Sequence, residues 1–199
     1  MTIKKENIRK QAKEILKKTR GRYQNQVILN QLRKEILRLK AKCVLLYCAL
    51  SIEVNLRPLI TELRALGIRV FVPLVRGEAM QIVPYRLPLV EGSFGVLEPK
   101  TSSLYKSPLQ CAVVPIVATD CQMRRIGYGK GYYDRFFEQF SGRPYVIFVQ
   151  KRLCMAYENI TESWDIVADL ICTPQVVIKR RKNGFGVDKP HCFRIIGSL

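Results

Sequence analysis

The sequence predicts an α/β fold, a mostly parallel sheet preceded by two helices, and three observations carry the prediction. Continuous apolar runs of strand length recur along the chain: CVLLYCAL at 43–50, IRVFVPLV at 68–75, CAVVPIV at 111–117 and YVIFVQ at 145–150. Such runs are what strands buried on both faces require. Between the first two lies a helix-like segment at 56–66 that stops at Gly67, so strand, helix and strand follow in the order of a right-handed crossover. Ahead of them, Ile8, Ala12, Ile15 and Leu16 recur at helical spacing among Lys and Glu over residues 3–18. Val27, Leu29, Leu32, Ile36, Leu37 and Leu39 repeat that pattern less regularly after Gly21.

The remaining elements follow in order. Residues 80–85 read as a further strand, 84–108 as a Pro- and Gly-rich connection, 132–140 as a helix and 168–174 as the last short strand. At 199 residues with 48% hydrophobic side chains the chain suits one domain. Its expected bounds are 1–178, followed by a polar, basic tail at 179–199. No apolar run approaches the roughly 18 residues of a membrane span. The charged N-terminus lacks a signal-peptide apolar segment, and a cytoplasmic protein is the expectation. Seven cysteines include no C-x-x-C pair and are read as reduced and mostly buried. His191 is the sole histidine, which argues against a Ser-His-Asp triad, a Cys-His pair or a multi-histidine metal centre. Chemistry is left to carboxylates, Lys, Arg, backbone amides and the ligands' own groups.

A net charge of +18 invites a nucleic-acid reading. Its distribution weakens that reading: residues 1–42 hold 14 basic and 3 acidic side chains, residues 175–199 hold 6 and 1, and the stretch between is near neutral. Basic ends serve equally as solvated helix faces or as walls of a site for an anionic small molecule. The interleaved aromatics and recognised modules of nucleic-acid binders are missing, so no nucleic-acid partner is expected.

The most informative stretch is RRIGYGKGYYDRF at 124–136, between a buried strand and a helix. Gly127, Gly129 and Gly131 alternate with Tyr128 and Lys130, so the loop can turn amide N–H groups toward phosphate oxygens while Arg125 and Lys130 add charge. It is neither a Walker loop nor a dinucleotide fingerprint, since Gly131 follows Lys130 and Tyr132 occupies the third-glycine position. Asp134 follows the loop, and Asp165 and Asp169 precede the late strand. Asp134 and Asp165 read first as caps of a helix and a turn, and only proximity to the glycine loop favours a hard cation. Lys5 and Arg9 share a helix face, suited to gripping phosphate or to facing water. Glu53, just past the first strand, is placed to bind a polar ligand or to cap the next helix.

These residues together resemble the 5-formyltetrahydrofolate cyclo-ligase family over residues 4–174. RIGYGKGYYDR (125–135) matches its R-L-G-x-G-x-G-Y-Y-D signature with Ile126 for Leu. Lys5 and Arg9, Glu53 with Val54, GVLEP (95–99), and Asp165, Asp169 and Thr173 match its shorter motifs. Three positions depart: Met123 where the family has Gly, Leu56 where it has Thr, and Trp164 where it has His. The resemblance implies a Rossmann-like three-layer α/β/α sandwich and an ATP- and Mg²⁺-dependent cyclisation of 5-formyltetrahydrofolate to 5,10-methenyltetrahydrofolate. ADP and phosphate are released through a phosphorylated formyl intermediate. It further assigns Lys5, Arg9, Arg125, Gly127, Tyr128, Gly129, Lys130, Gly131 and Tyr132 to ATP, with Arg125 and Lys130 catalytic. Glu53, Phe94 and Tyr132 fall to the folate, and Asp134 and Asp169 to Mg²⁺. A monomer with only these two ligands as partners, and no membrane, is expected.

Overall fold

Alternation of side chains along buried strands gives a sheet two apolar faces, and the chain covers each with different helices. The computed structural model describes residues 2–19, 21–92, 95–100 and 108–180. In order its elements are α1 (Thr2–Lys18), α2 (Arg22–Arg38), β1 (Cys43–Leu45), α3 (Arg57–Ala65), β2 (Arg69–Arg76), β3 (Ala79–Pro84), β4 (Leu89–Glu91), β5 (Leu97–Pro99), β6 (Cys111–Pro115), β7 (Ala118–Thr119), β8 (Arg125–Ile126), α4 (Tyr132–Gln139), β9 (Tyr145–Val149), β10 (Leu170–Cys172) and β11 (Val177–Lys179).

The main sheet has seven strands in the order β11-β10-β9-β6-β1-β2-β3. The five inner strands are parallel, and β3 and β11 close its edges antiparallel. One face, carrying Val44, Val70, Val113 and Ile147, packs on Ile28, Leu32 and Ile36 of α2 and Leu59 and Leu63 of α3. The other, carrying Leu45, Phe71, Val114 and Phe148, packs on Tyr133, Phe136 and Phe137 of α4. This is the expected mostly parallel α/β sandwich. The helix α1 stands apart from both layers: Ile8, Ala12 and Leu16 bury against Val117, Ala118 and Ile126 around the β7–β8 ribbon.

Several local expectations are corrected. Of the run 43–50 only Cys43–Leu45 forms strand β1, with one further hydrogen bond from the Leu46 N–H to the Phe71 carbonyl at 2.9 Å, before the chain leaves the sheet. The Pro- and Gly-rich connection contains the β4–β5 ribbon. One more strand, β11 (Val177–Lys179), follows the one expected to be last. Of the tail, residues 181–199 lie outside the described residues. No helix among the described residues is long and apolar enough to cross a membrane.

Topology fixes where a ligand can enter. From β1 the chain moves to β2 on one side, and from β6 to β9 and β10 on the other, so the order reverses between β1 and β6. In open parallel sheets such a reversal opens a crevice at the strands' carboxyl ends. Tyr47, Cys48, Leu50 and Glu53 after β1 and Pro115 at the end of β6 line it here.

Candidate active site

Arg125 organises the crevice. Its side chain is buried, its Nε donates to the Pro115 carbonyl at 3.3 Å, and its Nη1 donates to Asp134 Oδ2 at 3.2 Å. The guanidinium lies 4.7 Å from the centre of the Tyr133 ring, a cation–π contact that a desolvated site strengthens. A Cβ on Gly127 would fall 2.4 Å from Arg125 Nη1, so any larger residue there would force the guanidinium to shift from its contacts. Gly131, at φ 67°, ends the loop in the left-handed region immediately before α4. Gly127→Ala is therefore expected to displace the guanidinium, costing about 1–3 kcal/mol by overpacking. Thermal unfolding and the ligand affinities of the folded variant check this.

The loop divides two depressions. On one side is a mainly apolar cavity of about 300 Å³ whose wall includes Tyr47, Glu53, Met80, Tyr128 and Tyr133. Glu53 Oε2 accepts from the Leu50 N–H at 2.8 Å, and Tyr128 approaches the same carboxylate through its hydroxyl. Burial pushes the Glu53 carboxyl above its ordinary range, against the downward pull of these hydrogen bonds and of Arg125. Burial, followed by the charge of Glu53, also raises the phenols of Tyr128 and Tyr133. The cavity thus offers flat apolar walls and two carboxyls, Glu53 and the buried Glu98, suited to a planar heterocycle with N–H donors.

On the other side is a polar depression of about 170 Å³ lined by Arg9, Gly127, Gly129, Asp134, Trp164 and Asp165, among others. Arg9 Nε donates to the Gly127 carbonyl at 3.0 Å, and Lys5 Nζ pairs with Asp165 Oδ2 at 2.5 Å. Arg9 thus reaches the loop and Lys5 the Asp165 turn, and the helix face they share is the one that docks. Arg125 and Gly131 line both depressions.

Other residues fall elsewhere than expected. Lys130, Tyr128 and Tyr132 line the apolar cavity and not the polar depression. Asp169 does not reach the crevice: it sits at the amino end of β10, where its carboxylate accepts from the Val146 N–H at 2.9 Å and from Arg143 Nη2 at 3.1 Å. Asp165 stands in its place, because residues 165–168 run back along β8, bonded through Arg125 N to Ile166 O and Ala168 N to Met123 O. Ligand crevices form at carboxyl ends of parallel strands. Asp169, directly ahead of β10, lies at the opposite edge of the sheet from that crevice. Phe94 lies outside the described residues.

The donor set can be tested against a hard cation. No group of three or more His, Cys, Asp or Glu able to hold a metal is found among the described residues. Asp134, Asp165 and Glu138 nevertheless put carboxylates on the wall of the polar depression. Mg²⁺ commonly takes one or two carboxylates and completes its octahedron with water and phosphate oxygens, so this partial oxygen set fits it.

Two of the three departures from the family pattern have a structural meaning. Met123 adopts φ 58°, the left-handed conformation that glycine enters freely. Leu56 occupies the N-cap of α3 without a side-chain cap, and Asn55 Oδ1 instead accepts from the Arg57 N–H at 3.0 Å.

Fold and crevice together set an apolar cavity and a polar depression on opposite sides of a glycine loop, an arrangement that suits an α/β enzyme. Comparison with known proteins is specific on this point. The model of the 5-formyltetrahydrofolate cyclo-ligase family matches residues 1–174, and the chain belongs to that family of ligases. It is 27% identical to the 5-formyltetrahydrofolate cyclo-ligase of Escherichia coli K12 over 146 residues, 69% of this chain and 80% of that protein. To the Haemophilus influenzae protein of the same name it is 26% identical over 136 residues, covering 64% and 73%. The solution structure of Aquifex aeolicus 5,10-methenyltetrahydrofolate synthetase superposes with a TM-score of 0.75 at 26% identity, covering 94% of this chain and 99% of that one.

Proposed function

We propose that the chain cyclises 5-formyltetrahydrofolate to 5,10-methenyltetrahydrofolate using ATP and Mg²⁺, with release of ADP and phosphate. The names of its relatives support the folate reaction. The observation that carries the two-ligand reading is that one buried guanidinium, Arg125, lines both the apolar and the polar depression. The pterin occupies the apolar cavity, where Glu53 accepts from its ring N–H groups. The triphosphate occupies the polar depression, held by the glycine loop and Arg9, with Lys5 positioning Asp165. Arg125 sits where the two meet and offsets charge on the group in transit. The formyl oxygen attacks the γ-phosphorus as ADP departs, and the bridging nitrogen then closes the ring onto the activated carbon as phosphate leaves. Such a reaction asks for positioning and charge neutralisation rather than a nucleophilic side chain. Bound Mg²⁺ would neutralise phosphate charge, and Asp134 and Asp165 are the residues to hold it.

The direct test is the absorbance of methenyltetrahydrofolate formed from 5-formyltetrahydrofolate with and without ATP; no ATP-dependent product would overturn the reading. Asp134→Asn and Asp165→Asn are each expected to raise the Mg²⁺ concentration for half-maximal rate by about tenfold or more, the loss of one charged contact. Asp169→Asn should leave it unchanged. A Mg²⁺ titration at saturating ATP reads all three, and a shift confined to Asp169→Asn would reverse the assignment.

A further inference from the structure

Trp164 is the chain's single tryptophan and is 62% exposed, although large aromatic side chains are usually well buried. It lines the polar depression together with Arg9, Gly127, Gly129 and Arg135. The turn that carries it is closely tied. Asp165 N donates to the Glu162 carbonyl at 3.1 Å, and Glu162 N donates to Asp165 Oδ2 at 2.7 Å. The same oxygen takes the Lys5 ammonium at 2.5 Å, and the next residue, Ile166, donates its N–H to Asp134 Oδ1 at 3.4 Å. An indole is thus left facing water on a braced backbone, one residue from a carboxylate that lines the phosphate side of the crevice.

A nucleoside triphosphate is anionic at one end and flat and aromatic at the other. Arg9 and the glycine loop answer the first end, and Trp164 presents an aromatic face for the second. We propose that Trp164 is the platform on which the purine base of the nucleotide stacks, a subsite that rests on the ATP-dependent reading above. Stacking of a base on an aromatic side chain is tolerant of sequence and needs no hydrogen-bond partner, which suits an exposed ring at the mouth of a depression. The turn's hydrogen bonds hold the backbone under the ring before any nucleotide arrives, so less ordering accompanies binding. Where the family pattern has histidine, this chain places a larger π surface.

A single tryptophan makes the proposal directly readable. With folate omitted, titration of the wild-type protein with Mg²⁺ and ATP is expected to quench its tryptophan fluorescence, while Mg²⁺ with inorganic tripolyphosphate leaves it nearly unchanged. Trp164→Leu is expected to raise the KM for ATP by about fivefold or more, from the measured range of base–aromatic stacking. Its KM for 5-formyltetrahydrofolate should not move, and Trp164→Phe should recover part of the loss. A quench reproduced by tripolyphosphate, or a Trp164→Leu enzyme with an unchanged KM for ATP, overturns the stacking. Wild-type protein that cyclises with ATP but shows no ATP-specific quench overturns the stacking alone. Wild-type protein that neither cyclises nor binds ATP overturns the reading beneath it.

Discussion

Arg125→Lys is expected to lower turnover by about a hundredfold or more and to raise KM for both ligands, although the positive charge is retained. The wild-type guanidinium reaches Pro115 O and Asp134 Oδ2 while lying against the Tyr133 ring. A lysine ammonium has neither the planar fork nor the second edge to serve these contacts and still face both depressions. The Asp134 pair keeps a cationic partner, so the variant should remain folded, which separates a lost function from a lost fold. Steady-state kinetics with each ligand varied in turn decide the matter. If only one KM moves, Arg125 does not join the two halves of the site.

Glu53→Gln is expected to make the protein more stable and a poorer enzyme. Burial holds the Glu53 carboxyl above its ordinary range, so between the unfolded and folded pKa values the native state binds more protons than the unfolded state. Stability therefore falls as pH rises through that window, and the full cost is present above the folded value. Glutamine removes the titration. The variant's thermal midpoint should exceed that of the wild type at neutral pH, and the difference should vanish as pH falls below the ordinary carboxylate range. Loss of a charged hydrogen-bond acceptor should meanwhile raise the KM for 5-formyltetrahydrofolate by about 10- to 100-fold, with the KM for ATP unmoved. Melting curves between about pH 4 and pH 8 test the linkage. A stability gain that grows toward acid would contradict it.

Much of this architecture was legible because its strongest signals are local. Four continuous apolar runs became β1, β2, β6 and β9, and the glycine loop precedes α4 as its composition suggests. Short, tertiary-dependent pieces were not legible. The β7–β8 ribbon has two residues in each strand, too few for any periodicity, yet it supports α1 and carries Arg125. The two sides of the loop were equally hidden. Gly129 at φ 109° and Gly131 at φ 67° flank Lys130, whose position on the apolar wall depends on backbone angles that residue spacing does not encode. Which edge of the sheet Asp165 and Asp169 each meet is likewise a property of register rather than of motif.

The Lys5–Asp165 pair joins residues 160 positions apart, and Arg9 reaches Gly127 across 118. Closing such long loops is entropically dear and belongs late in folding, after the local crossovers have formed. During synthesis α1 emerges well before the segment around Asp165, and Lys5 has no partner there until that segment has been made. The polar half of the crevice therefore cannot be complete in a nascent chain that stops short of Asp165. Fraying of α1 alone in the finished protein would dismantle that half while the seven-stranded sheet stays intact, so nucleotide affinity would register the docking of one helix rather than global unfolding.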